Sequence, residues 1–347
     1  ISFSKDIIEK LGIDKNEFYL GICRNFLRVF PIALRLTGCS PITHKSFVKG
    51  RNLQVEKLNQ DDCYLPNATS LRVSRLGYYS DQQEEKFITF NGLKEYLGLI
   101  KEYINCPNEK FSEISTDLNN LEQINNGTIQ TESELYNHIR PKGAQTDKRQ
   151  YIELKNNGIE YLEIRSIDLN PYSEIGISKI DIEFWEALVI LCALSESPKI
   201  EEDEALIIKE NIRRASESGQ DCYLIDSFDS QKGEHKISDL SEKLISDIYK
   251  LCLDLGVEDK YKGMIQEFEN RNKNPLSTRL IDDVNKNRGL FKTVINLSEH
   301  QKFEMENDLV KSFEKEVNLS RIRYEESLQT DQINFSEFII RYREEIR

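Results

Sequence analysis

The feature that most constrains this chain is residues 156–171, NNGIEYLEIRSIDLNP, where a strand pattern carries charge at its centre. Ile159, Leu162, Ile164 and Ile167 supply the β-branched and aliphatic weight of a strand. Glu160, Glu163 and Arg165 sit among them. Side chains alternate along an extended strand, so Tyr161, Glu163, Arg165 and Ile167 share one face while Glu160, Leu162 and Ile164 share the other. Glu163 and Arg165 then stand side by side, about 6.6 Å apart along the strand. Two readings follow from the residues themselves. One is a structural ion pair, or two residues facing cross-strand partners. The other is the floor of a site, with a carboxylate for a hard cation such as Mg2+ and a guanidinium for a carboxylate or phosphate.

Around this strand the pattern is helix, then strands, then many helices, which predicts an α+β fold and not a βαβ series. Asp14 and Glu17 read as a capping box opening a long helix to about Thr37, with Pro31 inside it and Gly38 and Pro41 ending it. Asn91 reads as the N-cap of a helix whose apolar stripe is Leu93, Leu97, Ile100 and Ile104. Residues 121–170 read as strand-rich, with Asn126-Gly127 as a turn. Ser178 caps a helix over about 179–194 that is apolar nearly all round and therefore expected to be buried. Helices are expected over 201–217, 238–254, 258–270 and 276–287, with a charged tail helix over 299–326. In a chain of 347 residues this predicts one domain over 1–347, with a sheet-containing active-site part in 1–198 and a helical part in 199–347.

Charge and cysteine usage exclude several classes. The net charge of -13 and the absence of a basic stripe argue against nucleic acid and against an anionic membrane surface. No apolar run reaches the ~18 residues of a membrane span. Seven widely spaced cysteines without a C-x-x-C pair fit reduced thiols in a cytoplasmic protein better than a disulfide framework or a zinc site. The four histidines are scattered, and His138 reads as a bystander and not a ligand. No glycine-rich phosphate loop is present.

Two further stretches concentrate chemistry. In CYLPNATSLRVSRLGYYS, residues 63–80, Arg72 and Arg75 lie among hydroxyls, including Tyr78, which suits either an anionic ligand or an ordinary charged surface loop. In QTESELYNHIRPKG, residues 130–143, Glu132 and Glu134 alternate on an expected strand, and Tyr136, Arg140 and Lys142 follow.

Taken together and in this order, YLPNATSLRVSRLGY, ITFNGLKEYL, QINNGTIQTESELYNHIRPK and GIEYLEIRSIDLNPYSEIGI followed by CALSESP resemble the glutamate–cysteine ligases of γ-proteobacteria. The helix GICRNFLRVFPIALRLTGCSP fits as well. The resemblance covers about residues 16–198 and weakens beyond. It implies a glutamine-synthetase-like antiparallel sheet forming a funnel-shaped active site that uses Mg2+ and ATP. The γ-carboxylate of L-glutamate would take the γ-phosphate of ATP, and the amine of L-cysteine would then attack the γ-glutamyl phosphate. This is the first step of glutathione biosynthesis. By position, the resemblance makes Glu163 a Mg2+ ligand and places Arg165 near the transferred phosphoryl group. It places Arg72 on the glutamate part, and Tyr78 and Tyr136 around the cysteine pocket. The partners implied are L-glutamate, L-cysteine and ATP, in a monomer.

The chain departs from the family pattern at its start. ISFS looks like the residues just after a metal-binding His, so the E-x-E strand and the other acidic ligands are not in it. It is expected to be a C-terminal fragment, inactive by itself. The other readings are a non-catalytic remnant acting as a binding module, and a related carboxylate–amine ligase with a different amine.

Overall fold

The computed structural model describes residues 1–51, 53–77, 80, 83, 87–226, 233–308, 310–330 and 334–346, with backbone only for 302–308, 310–312 and 330. In chain order the first part holds α1 (Lys5–Leu11), α2 (Lys15–Thr37), β1 (Ile42–His44), α3 (Lys45–Val48), β2 (Glu56–Lys57), β3 (Asp62–Tyr64) and α4 (Leu93–Asn105). Then come β4 (Ile139–Lys142), α5 (Gln150–Asn157), β5 (Tyr161–Ile164), α6 (Lys179–Leu194), α7 (Glu202–Ser218), β6 (Tyr223–Ile225) and β7 (Glu234–Lys236). The chain closes with α8 (Ile237–Asp254), α9 (Glu258–Lys273), α10 (Leu276–Asn287), α11 (Leu290–Asp308), α12 (Val310–Thr330) and α13 (Phe335–Glu344). The fold is α+β, as the sequence predicts, and mostly helical.

The axis of the molecule is α2. Asp14 caps it, its side chain accepting from the Glu17 N–H at 3.0 Å. The Glu17 carboxylate turns instead to the Arg24 guanidinium at 2.5 Å, so the Asp14 half of the expected capping box is the half that forms. Apolar residues lie on every side of α2, and it packs against α4, α6, α7, α8, α9 and β4. Phe26, Phe30, Leu34 and Leu36 are sealed from solvent, each burial contributing roughly 1.5–3 kcal/mol. Five polar residues on the same helix are buried with partners: Arg24 on the Phe90 carbonyl, Asn25 on the Cys192 carbonyl, Arg28 on Glu204, Arg35 on the Gly219 and Asn272 carbonyls, and Thr37 on the Ala33 carbonyl.

Ser178 and Asp181 form a complete capping box at the start of α6. Against the expectation of burial all round, Ile182 and Leu194 of α6 are exposed, and the buried side holds Phe184, Trp185 and Leu188. Phe184 stacks on Phe268 of α9 at 4.0 Å.

Among the described residues sheet structure is limited to three antiparallel pieces: β1-β3-β2, β4-β5 and β6-β7. The interval 121–170 is less strand-rich than its sequence suggests, holding β4, β5 and the helix α5. Glu132 and Glu134 lie on a 3-10 turn and not on a strand. Glu132 is drawn aside by Arg149 at 2.6 Å, and Glu134 accepts from the Gln130 N–H, local bonds that compete with a strand ladder. Gly92, not Asn91, caps α4, because the Asn91 amide is spent on both backbone groups of Ile200. The tail is helical over 290–308 and 310–330, α11 and α12, on either side of residue 309, which lies outside the described residues; this span contains the expected 299–326 and begins earlier, and α13 follows it. The β6-β7 hairpin interrupts the part expected to be helical.

Among the described residues no helix is long and apolar enough to cross a membrane. All seven cysteines are free thiols, and six of them are buried.

Candidate active site

The site is built on the β4-β5 ribbon. Its register sets Arg140 opposite Glu163 and Lys142 opposite Tyr161. Directly paired side chains share a face, yet Arg140 turns inward and donates to the carbonyls of Ser133 and Leu135. Glu163 instead meets the diagonal neighbour, Lys142, with Nζ 3.8 Å from Oε2. Burial holds the Lys142 ammonium below its usual pKa, and Glu163 partly offsets this. The Glu163 side chain keeps 40 % of its surface exposed.

Arg165 stands one residue past β5. Its N–H donates to the His138 carbonyl at 2.9 Å, extending the ribbon, and its carbonyl accepts from Arg72 Nη2 at 2.7 Å. Two stretches singled out from the sequence, 93 residues apart, are thus joined by the Arg72 guanidinium. On its other side, Arg72 Nη1 lies 3.9 Å from Oδ1 of Asp168.

Tyr136 precedes β4 and is fixed through its N–H, which donates to Gln83 Oε1 at 2.8 Å. It lines two cavities. One, of about 340 Å³, also has Arg72, Ser40, Thr43 and Phe47 in its wall. The other, of about 330 Å³, runs behind it between Val73, Tyr103, Leu135 and His138. Arg72 and Tyr136 therefore share a wall, while Glu163 and Arg165 line neither of these two cavities. Tyr78 lies outside the described residues.

His138 behaves as a packed side chain. Its ring stacks on Phe30 at 4.7 Å, and Nδ1 meets Ser166 Oγ at 2.6 Å. Burial, reinforced by the Arg72 charge, pushes its pKa down to about 4.

Sequence reasoning missed Asp168, Ser40 and Thr43. Asp168 falls in the RSIDLNP run that was singled out, but an acidic residue at the end of a strand carries no mark that it will be buried. Ser40 belongs to the turn after α2 and Thr43 to the three-residue strand β1, and composition alone distinguishes neither from an ordinary loop.

Among the described residues no group of three or more His, Cys, Asp and Glu side chains is gathered as a metal site. Glu163 is a single half-exposed carboxylate. That fits Mg2+, which takes one or two carboxylates and draws its remaining ligands from phosphates and water.

Comparison with known proteins bears on this geometry. The glutamate-cysteine ligase family model matches residues 5–215. The glutamate–cysteine ligase of Wigglesworthia glossinidia brevipalpis is 35% identical over 306 residues, 84% of this chain and 60% of that protein. The one from Buchnera aphidicola subsp. Acyrthosiphon pisum (strain APS) is 30% identical over 344 residues, 92% of this chain and 65% of that protein. The crystal structure of Francisella tularensis glutamate–cysteine ligase in complex with AMP superposes with a TM-score of 0.86 at 22% identity, covering 98% of this chain and 70% of that one. It shows that the fold is shared. This chain spans 60% and 65% of the length of the two relatives named. By the family match over more than half its residues, and by its identity to these relatives, the chain belongs to the glutamate–cysteine ligase family.

Proposed function

We propose that this chain carries part of the active site of an ATP-dependent ligase that joins the γ-carboxyl group of L-glutamate to the amine of L-cysteine. The observation that supports this most is the meeting of Arg72 with the Arg165 carbonyl beside Tyr136, which gathers three separated motifs at one end of the β4-β5 ribbon. In this reading the cavity of Ser40, Thr43, Arg72 and Tyr136 lies where the two amino acids meet. Arg72 takes a carboxylate of glutamate through its planar fork. Tyr136 offers an apolar wall with a polar tip to the small thiol side chain of cysteine, and the family resemblance assigns Tyr78, which lies outside the described residues, to the same role.

The reaction proceeds by displacement at phosphorus. A γ-carboxylate oxygen of glutamate bonds to the γ-phosphorus of ATP, and the bond to ADP breaks. The cysteine nitrogen then attacks the acyl carbon, phosphate leaves with the bonding pair, and the amine gives up its proton. Arg165 stabilises the oxygens of the phosphoryl group in transit, a role for preorganised donors. Glu163 would hold a Mg2+ ion, which when bound neutralises phosphate charge. The thiols and the absence of a membrane-spanning helix among the described residues accord with a cytoplasmic setting. In this reading residues 1–347 are one catalytic unit, with the active-site ribbon β4-β5 in the first 198 residues and the β6-β7 hairpin beyond them.

The test is phosphate release from ATP in the presence of both amino acids. It is run on a chimera that completes this chain with the remaining length of the Wigglesworthia glossinidia brevipalpis relative. Arg72→Ala and Glu163→Gln should each lower the rate at least ~100-fold. Activity indifferent to both changes would overturn the assignment.

A further inference from the structure

We infer that Asp168 is a positioning residue for Arg72, holding that guanidinium and the Ser40 hydroxyl in place on the cavity wall. The inference deepens the proposed function and rests on it for the identity of the ligand, but the coupling between Asp168 and Arg72 stands on geometry alone. The Asp168 side chain has no exposed surface. Its Oδ2 accepts from the Cys39 N–H at 2.9 Å and from Ser40 Oγ at 2.7 Å. Its Oδ1 accepts from Ser70 Oγ at 3.0 Å and faces Arg72 Nη1 at 3.9 Å. A carboxylate has about four acceptor positions, and here each faces a donor.

These partners come from two segments that the carboxylate ties to a third. Residues 39–40 and 69–71 pair through the Ser40 N–H on the Thr69 carbonyl at 3.2 Å and the Leu71 N–H on the Ser40 carbonyl at 2.7 Å. The Ser40 and Ser70 hydroxyls lie 3.1 Å apart. Asp168 itself is three residues past Arg165, whose carbonyl takes the other side of the Arg72 guanidinium. Arg72 is thereby held at two points of one continuous segment, 165–168, by a charge and by a carbonyl. A purely structural carboxylate would serve backbone ends; two of the four partners of this one, Ser40 and Arg72, line the cavity. Burial pushes the Asp168 pKa up, while the Cys39 N–H and the two hydroxyls pull it back. A guanidinium fixed on two sides presents its planar fork to a ligand carboxylate in one orientation, and loss of such orientation costs on the order of 100-fold in rate when the reacting groups move by ~1 Å.

The test reads Arg72 directly. In the 15N-labelled chain, the Arg72 Nη–H resonances, assigned by their loss in Arg72→Lys, should exchange with solvent at least tenfold faster in Asp168→Asn. Circular dichroism and the thermal midpoint confirm that the variant is folded. Ser40→Ala and Ser70→Ala should each produce a smaller acceleration, and they decide the question if Asp168→Asn does not fold. Arg72 exchange unchanged in folded Asp168→Asn, or in both serine variants, overturns the inference. In the chimera, Asp168→Asn should raise the KM for L-glutamate roughly tenfold with a smaller change in kcat, and Asp168→Glu should not restore it. A wild-type chimera without glutamate- and cysteine-dependent phosphate release would reject the functional reading, while the exchange measurement still decides the coupling.

Discussion

The carboxylate of Asp181 accepts from the Ser178 N–H and hydroxyl, from the Asn170 amide at 3.2 Å, and from Arg271 Nη1 at 2.5 Å. Burial opposes its charge, but Arg271 and Ser178 outweigh it and hold the pKa below the ordinary carboxylate range. Asp181→Ala should therefore cost about 3 kcal/mol in denaturant unfolding, since it removes one half of the capping box and leaves the buried Arg271 with Glu267 as its remaining ion-pair partner among the described residues. His138 is also shifted downward, but there the fold favours the neutral form. Its folded pKa of about 4 lies below the unfolded 6.5, so the unfolded chain binds the extra proton between those values and stability falls as pH drops through that window. Against a His138→Gln variant, the wild type should lose up to about 3 kcal/mol between pH 6.5 and pH 4, read as a narrowing gap in urea midpoints. A gap independent of pH would place the imidazole in ordinary solvent. At this scale the sequence marks charges but not their burial. Glu163 and Arg165 stood out because charge interrupts a strand pattern. Asp168 and Asp181 carry no such mark in the sequence, and only the folded chain shows how many donors converge on each.

Among the elements, the long helices were legible because their apolar periodicity is sustained over many residues; α2, α4 and α7 to α10 fall close to their expected bounds. The short ones were not. The helix α5 has only Tyr151 and Leu154 as buried apolar anchors, and its Glu153 is buried too, bonded to Thr146 and Asn157, so its pattern reads as neither helix nor strand. The Asn126-Gly127 pair marks a tight passage for a further reason: a Cβ at Gly127 would lie 2.2 Å from the Ile104 carbonyl oxygen. The last helix, α13, has an identifiable docking site. Arg343 donates to the carbonyls of Ile124 and Thr116, and the Asn105 amide donates to that of Ile346. Arg149 stacks over the Tyr342 ring at 3.6 Å while gripping Glu132. Ending the chain after Thr330 should leave α2 and its neighbours folded but free Arg149 on one side. Amide exchange across 105–134 should then rise, with little change at β5, as mass spectrometry of deuterated peptides would register. Uniform protection across both would show that α13 rests on the surface without bracing it.

For the molecule as a whole, the division near residue 198 separates sequence patterns more than it separates packing. One apolar cluster runs from Ile8 through Phe268 to Ile346, and α2 contacts helices on both sides of that division. Residues 1–198 expressed alone should consequently lack a cooperative unfolding transition, whereas the full chain should show one; a sharp transition in the shorter piece would establish it as a separate folding unit. The broad order of elements was readable because each helix must hide an apolar face. Which faces meet was not, because that depends on contacts such as Arg28 with Glu204, 176 residues apart. The central helix also sets how a lineage of such chains can vary. Inserting or deleting a single residue midway along α2 would turn everything after it by about 100° and slide it about 1.5 Å, taking Arg28 and Arg35 from their acceptors at one stroke. Length changes belong in the surface connections, and α2 can drift only by exchanging one side chain for another of matching reach.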